Sequence, residues 1–293
     1  MITEPVHLDG NGRRLTLVGD GFFGTIAGLD EAIYHATSRL SAHGSALILG
    51  RCPSIYKYRQ DHPKPPTRAL EDGKIFHALL LEPTKATAIY TPLYEGFDGR
   101  TKDGKAAMAE ISAAGRSPVP YETWGRLTAM AAAVRRHPML GGVFGAGQEE
   151  LSLFWQDDLW ATHVPLKARP DWLPKEGRLI LDVKTSDGAS PGDLERDMVN
   201  YGYHYQAAQY EEGALKLGLR DDPKFVMVVV EKEPPYEVVI ARPSDEAITL
   251  ARGKLGDARR IYAKCQETGL WPGYTDDVIE LGLPGWVRRA EGL

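Results

Sequence analysis

Apolar positions along the chain follow two periods, and the switch between them divides the sequence. In residues 69–81, Leu70, Ile75, Phe76, Leu79 and Leu80 fall at helical spacing, and Pro83 closes the run. Residues 121–137 also predict a helix, with Pro138 just past its end, and residues 29–35, 45–49 and 106–114 predict shorter ones. From residue 150 the spacing shortens to alternation. Residues 150–155, 163–169 and 178–185 predict three strands, and residues 225–231 and 236–242 two more. Between these groups, residues 194–217 predict a long helix with aromatic side chains on several faces. Residues 244–267 predict a closing helix, with Ser244 as N-cap and Asp245 and Glu246 in its first turn. Short apolar pieces between glycines in residues 15–28 predict strand and turn. The proline-rich stretch 61–67 predicts a loop, and the polar, glycine-rich stretch 96–104 a mobile one.

The order of helices, three strands, helix, two strands and helix describes an α/β fold in which a sheet is flanked by helices. No internal repeat interrupts it, so residues 1–293 read as one domain. Its parts are a strand-and-turn extension (1–28), a helical part (29–145), an α/β core (146–267) and a tail (268–293).

Composition narrows the setting. An apolar fraction of 43% and a charged fraction of 26% are those of an ordinary soluble globular protein. Residues 1–14 lack the apolar core of a signal peptide, and the apolar run 225–230 stops at Glu231, far short of a bilayer span, so no membrane partner is expected. Cys52 and Cys265 are far apart and form no CxxC pair, which suits a reducing cytoplasm. The formal charge of −5 does not mark a general polyanion binder, so any such partner must meet local basic patches in residues 51–68 and 100–105.

Candidate chemistry centres on Asp171, Asp182 and Lys184. Asp182 and Lys184 stand two apart on a predicted strand, so both side chains leave the same face. Asp171 is separated from them by a connection containing Pro174 and Gly177, which allows the chain to return and set the two carboxylates together. Adjacent carboxylates repel, and a divalent cation resolves the conflict; hard oxygen ligands suit Mg2+ or Mn2+. Lys184 then orients or deprotonates a water, or stabilises charge on a phosphate, a group set suited to phosphodiester hydrolysis. Taken alone, a D-x-K triplet equally describes an ion pair on a strand surface.

The wider sequence resembles the RecE-type exodeoxyribonucleases of the PD-(D/E)xK nuclease superfamily. The matching segments run in order from about Gly28 to Pro284. They include Tyr34-His35-Ala36, Gly73-Lys74-Ile75-Phe76-His77, Glu150 to Trp155, Arg169-Pro170-Asp171-Trp172, Leu181-Asp182-Val183-Lys184-Thr185, Tyr203 to Tyr210 and Trp271-Pro272-Gly273-Tyr274. The resemblance implies a central mixed sheet flanked by helices. It makes Asp171 and Asp182 metal-binding acids with the Val183 carbonyl as a further ligand, Lys184 the catalytic lysine and His77 another metal ligand. Gln206 and Tyr210 match a Q-x-x-x-Y signature beside the active site, one helical turn apart. Glu150 matches an acid before the first core strand, in a secondary role.

The resemblance also implies Mg2+, replaceable by Mn2+, and digestion of duplex DNA with free ends from a 5′ end. It implies a ring-like homo-oligomer and a single-strand annealing recombinase as partner. Arg51, Lys57, Arg59, Lys64, Arg68, Arg100, Lys102 and Lys105 are candidate phosphate contacts, as are Arg169 and Thr185. Two cysteines cannot supply the four thiolates of an iron–sulfur cluster, and no G-x-x-x-x-G-K-[ST] loop is present, so neither a cluster nor ATP is expected. The competing readings are a sequence- or structure-specific endonuclease of the same superfamily, a silent DNA-binding relative, and a hydrolase of small phosphate esters.

Overall fold

The two apolar periods become two kinds of layer in the computed structural model, which describes residues 6–8, 14–16, 22–158, 160 and 162–293, with backbone alone at 6–8 and 14–16. The first part holds β1 (Val6–Leu8), β2 (Arg14–Thr16), β3 (Gly24–Ile26), α1 (Glu31–Ala36), α2 (Ala42–Gly50), α3 (Pro53–Asp61), α4 (Arg68–Leu81) and α5 (Pro83–Ile89). Next come β4 (Tyr90–Pro92), α6 (Lys102–Ala113), β5 (Ser117–Val119), α7 (Tyr121–Arg136), β6 (Gly147–Glu149), β7 (Ser152–Gln156), β8 (Pro165–Ala168), β9 (Trp172–Pro174) and β10 (Leu179–Ser186). The chain continues through α8 (Pro191–Tyr201), α9 (Tyr203–Lys216), β11 (Lys224–Glu231), β12 (Val238–Ala241), α10 (Asp245–Thr268) and α11 (Gly285–Glu291).

The main sheet has the order β12-β11-β10-β9-β6. Only β10 and β11 run parallel, with Asp182 opposite Met227 and Lys184 opposite Val229; every other pair is antiparallel. A parallel neighbour requires a long crossover, and α8 and α9 supply it. The sheet is therefore mixed and flanked by helices, as expected. Its alternation divides the core. Ile180, Phe225, Met227 and Val229 pack with Ala207 and Ala208 of α9 and Leu255 of α10. Leu181, Val183, Val228 and Val230 pack on the opposite side with Phe76 and Leu80 of α4 and Leu127 and Met130 of α7. Asp182 and Lys184 share the face of Ile180 and hence the α9 side.

Two expectations change in detail. The strands predicted over 150–155 and 163–169 lie outside the main sheet, since β7 and β8 pair with β3 in a separate antiparallel sheet. The long helix over 194–217 breaks at Gly202, which adopts the left-handed region (φ 72°) between α8 and α9. Pro83 ends α4 as expected and also opens α5, because proline's missing N–H costs nothing in a first helical turn. The strand and turn expected in 15–28 correspond to β3, although residues 17–21 lie outside the described residues. Among the described residues, no helix is long and apolar enough to cross a membrane.

Candidate active site

β9 is short, and its end opens the edge of β10. The two strands pair only at Leu181 and Trp172. Two residues further along β10, the Val183 peptide groups point to the same side and find no strand there. Side chains replace it. Val183 N–H donates to Asp171 Oδ2 at 2.6 Å, and Val183 C=O accepts from His77 Nε2 at 3.1 Å. Asp171 directly precedes β9, and His77 sits on the sheet-facing side of α4, so strand end and helix meet at one peptide unit. The remaining oxygen of Asp171 lies 3.6 Å from His77 Nδ1.

Asp182 lies across the strand from this pair and is 1% exposed. Its Oδ1 accepts from Gln206 Nε2 at 2.6 Å, and its Oδ2 forms an ion pair with Lys184 Nζ. Gln206 reaches it because α9 covers this face of the sheet. One turn further along, Tyr210 OH donates to Arg169 C=O at 3.0 Å, fixing the backbone just before Asp171. Gln206 thus engages the acid carried by β10, and Tyr210 holds the segment between β8 and β9 that carries Asp171. Lys184 Nζ also lies 5.3 Å from the centre of the Tyr203 ring.

Burial raises the Asp182 pKa to about 6, with the nearby Asp171 adding to the rise and Lys184 opposing it. Burial also pulls on the Lys184 ammonium, but the Asp182 and Asp171 carboxylates outweigh it and hold its pKa above the ordinary lysine value. Glu150 follows β6 with φ 44°, and its N–H donates to Asp171 C=O at 3.1 Å. Burial raises its pKa, Arg169 opposes the rise and Asp171 adds to it.

A family model described as a PDDEXK-like domain of unknown function (DUF3799) matches residues 50–280, a span that contains every residue of this cluster. The chain belongs to this family. Its fold is that of the PD-(D/E)xK nuclease superfamily. A solved structure from Eubacterium rectale, provisionally named an exonuclease, is similar at 13% identity and a TM-score of 0.56, covering 89% of this chain and 94% of that one. A phage-related exonuclease from Haemophilus somnus is similar at 14% identity and a TM-score of 0.34, covering 79% of this chain and 97% of that one. No curated protein matches the sequence.

The donor set of this PDDEXK-like domain fits a hard divalent cation by its chemistry. Asp171, Asp182 and the Val183 carbonyl offer oxygen, and His77 offers nitrogen. His77 Nε2 is hydrogen-bonded to the Val183 carbonyl at 3.1 Å, so a cation taken by both groups would replace that hydrogen bond. Among the described residues, no three His, Cys, Asp or Glu side chains form a closed metal cage by themselves. A cation held here would draw on the Val183 carbonyl and the Asp171 oxygen not bonded to Val183 N–H, and would share Asp182 Oδ2 with the Lys184 ammonium.

The remaining candidate residues have varied surroundings. Arg169 donates to Ser152 Oγ and to Leu29 C=O at 2.9 Å, and its guanidinium stacks 4.1 Å from the Tyr34 ring centre, so it ties the N-terminal segment to β8. Arg51 donates to Tyr274 OH at 2.6 Å, and Lys57 pairs with Asp61. Arg68, Lys102 and Lys105 are exposed, and Thr185 is half-buried at the end of β10. Cys52 and Cys265 are buried and free. The neighbourhood of Lys184 and Tyr203 is a further part of the site that no local pattern announces, because it depends on how α9 crosses the sheet.

Proposed function

We propose that this PDDEXK-like protein is a divalent-metal-dependent DNA exonuclease that hydrolyses phosphodiester bonds of linear duplex DNA. The observation that carries the reading is the convergence of Asp171, Asp182 and Lys184 at the open edge of β10, with His77 and Gln206 fixed against them. Asp171, Asp182, the Val183 carbonyl and His77 are the residues that would hold the cation, which when bound supplies stabilisation of negative charge at the phosphate. Lys184, held above the ordinary lysine pKa, is charged at neutral pH. Its role is therefore electrostatic, directed at phosphate oxygens and the attacking water, rather than that of a general base. Gln206 and the Val183 N–H orient the two carboxylates, and Tyr210 anchors the connection that carries Asp171. The exonuclease name of the E. rectale fold relative points in the same direction. Action from a 5′ end, a ring-like oligomer and delivery of 3′ single strands to a recombinase rest on the RecE-type resemblance alone.

Purified protein incubated with linear and closed circular duplex DNA tests the reading. Loss of linear DNA only is expected with Mg2+ and none with EDTA, and Lys184→Ala should lower the rate about a hundredfold or more. Equal cutting of circles would transfer the assignment to an endonuclease. Unchanged activity in Lys184→Ala would remove the proposed centre.

A further inference from the structure

Aromatic rings continue from the Lys184 ammonium out to solvent. Tyr203, the first residue of α9, lies half-buried with its ring centre 5.3 Å from Lys184 Nζ. Tyr201, the last residue of α8, lies beside it with ring centres 5.6 Å apart and planes inclined by 31°. The left-handed turn at Gly202 sets these two rings together, since in a continuous helix residues two apart point to different sides. Tyr201 is 62% exposed, and the neighbouring Val199 is also exposed. A single exposed tyrosine needs no explanation. An exposed ring laid against a second ring that itself meets the Lys184 ammonium is a different arrangement. It is a continuous aromatic surface beginning at the proposed reaction centre.

The distances define what such a surface can receive. The Tyr201 ring lies within about 11 Å of the Lys184 ammonium, from the two separations in sequence. Stacked nucleotides advance by about 3.4 Å per step along a strand and unstacked ones by more, so the ring lies at most about three nucleotides from a phosphate at Lys184. A base inside a duplex already has both faces covered by neighbouring bases. A base freed by fraying, or in a single strand, has a face to offer, and base–aromatic stacking is tolerant of sequence because every base has one.

We propose that Tyr201 and Tyr203 form a stacking platform for an unstacked nucleobase next to the scissile phosphate, so that the enzyme selects frayed or single-stranded DNA ends. This rests on the nuclease reading for its substrate but makes a separate claim about binding. Base stacking of this kind is worth about 5- to 150-fold in affinity.

The test uses the full chain and a fluorescent single-stranded oligodeoxynucleotide in EDTA, where no hydrolysis is expected. A second oligonucleotide carries three abasic positions at each end. Wild-type protein should bind the intact strand about 5- to 150-fold more tightly than the abasic one. Tyr201→Ala should bind both as weakly as wild type binds the abasic strand, Tyr201→Trp should keep the preference, and Tyr201→Leu should lose it. With Mg2+, Tyr201→Ala should raise KM for tailed duplexes more than it lowers kcat. Equal loss on the abasic strand in wild type and Tyr201→Ala, with hydrolysis intact, overturns the platform and leaves the nuclease reading standing. A preserved base preference without hydrolysis of any DNA in Mg2+ or Mn2+ overturns the nuclease reading and keeps the platform. Failure to bind either strand overturns the platform.

Discussion

Lys167 shows how a single buried charge carries both a structural role and a pH signature. Its ammonium donates to Tyr34 C=O at 2.9 Å, His35 C=O at 3.2 Å, and Thr37 C=O and Oγ1 at 3.1 and 3.2 Å. These groups close the C-terminal end of α1, where a cation is electrostatically favoured. Burial nevertheless lowers its pKa to about 8, with Arg39 and Arg169 adding to the fall. A lysine depressed in the folded state releases its proton at lower pH than in the unfolded chain. Between about pH 8 and the ordinary lysine value near 10.4, the unfolded state therefore binds more protons, and this contribution to stability rises with pH. Urea unfolding of wild type and Lys167→Met across pH 7–10.5 should show the stability gap shifting in favour of wild type as pH rises through this window. A gap independent of pH would show that the hydrogen bonds hold Lys167 fully charged throughout.

At the scale of elements, the joint at Gly202 is where local sequence and tertiary structure part company. The apolar spacing of residues 194–217 continues as though through one helix, but α8 ends there with φ 72°. A Cβ at Gly202 would lie 3.1 Å from the Tyr205 ring and 3.3 Å from Ala46, in a conformation that costs a non-glycine residue about 1–2 kcal/mol. Gly202→Ala should therefore destabilise the protein by about that amount or more, read as a lower midpoint in urea, and should separate Tyr201 from Tyr203. An unchanged midpoint would show that the joint straightens without cost. The contrast with α4, α7 and α10 explains what the sequence reveals. Each of those helices buries a long apolar stripe, such as Ile75, Phe76, Leu79 and Leu80 in α4, and the stripe is visible at helical spacing. α3 buries only Pro53 and Tyr56 among polar neighbours, and α5 buries only Ala86, so neither carries a readable stripe. Asp182 and Lys184 were legible because alternation within one strand fixes their common face. The bonds of Asp171 and His77 to the Val183 peptide were not, because they exist only where β9 stops short of its neighbour.

For the whole molecule, the sheet balances stability against the buried acid placed at its centre. Asp182 is buried between two helical layers with its pKa raised to about 6, which means that folding places its carboxylate in surroundings that disfavour charge at neutral pH. Gln206 and Lys184 reduce that cost, and a cation accepted by Asp171, Asp182, His77 and the Val183 carbonyl would reduce it further. Any ligand that binds only the folded state adds stability by RT ln(1 + [L]/Kd), which is about 2.7 kcal/mol at a hundred times Kd. Mn2+ should accordingly raise the thermal midpoint of wild type in a concentration-dependent manner, and EDTA should reverse the rise. Asp182→Asn removes the disfavoured charge while retaining an oxygen for Gln206. In EDTA at pH 7 this variant should be at least as stable as wild type, yet gain nothing from Mn2+ and hydrolyse no DNA. The two halves of this prediction separate roles that activity alone confounds. An Asp182→Asn protein that is markedly less stable in EDTA would make Asp182 a structural partner of Lys184. One that still gains stability from Mn2+ would place the cation elsewhere. The expected combination of undiminished stability, lost metal response and lost hydrolysis marks a residue whose burial serves the reaction rather than the fold.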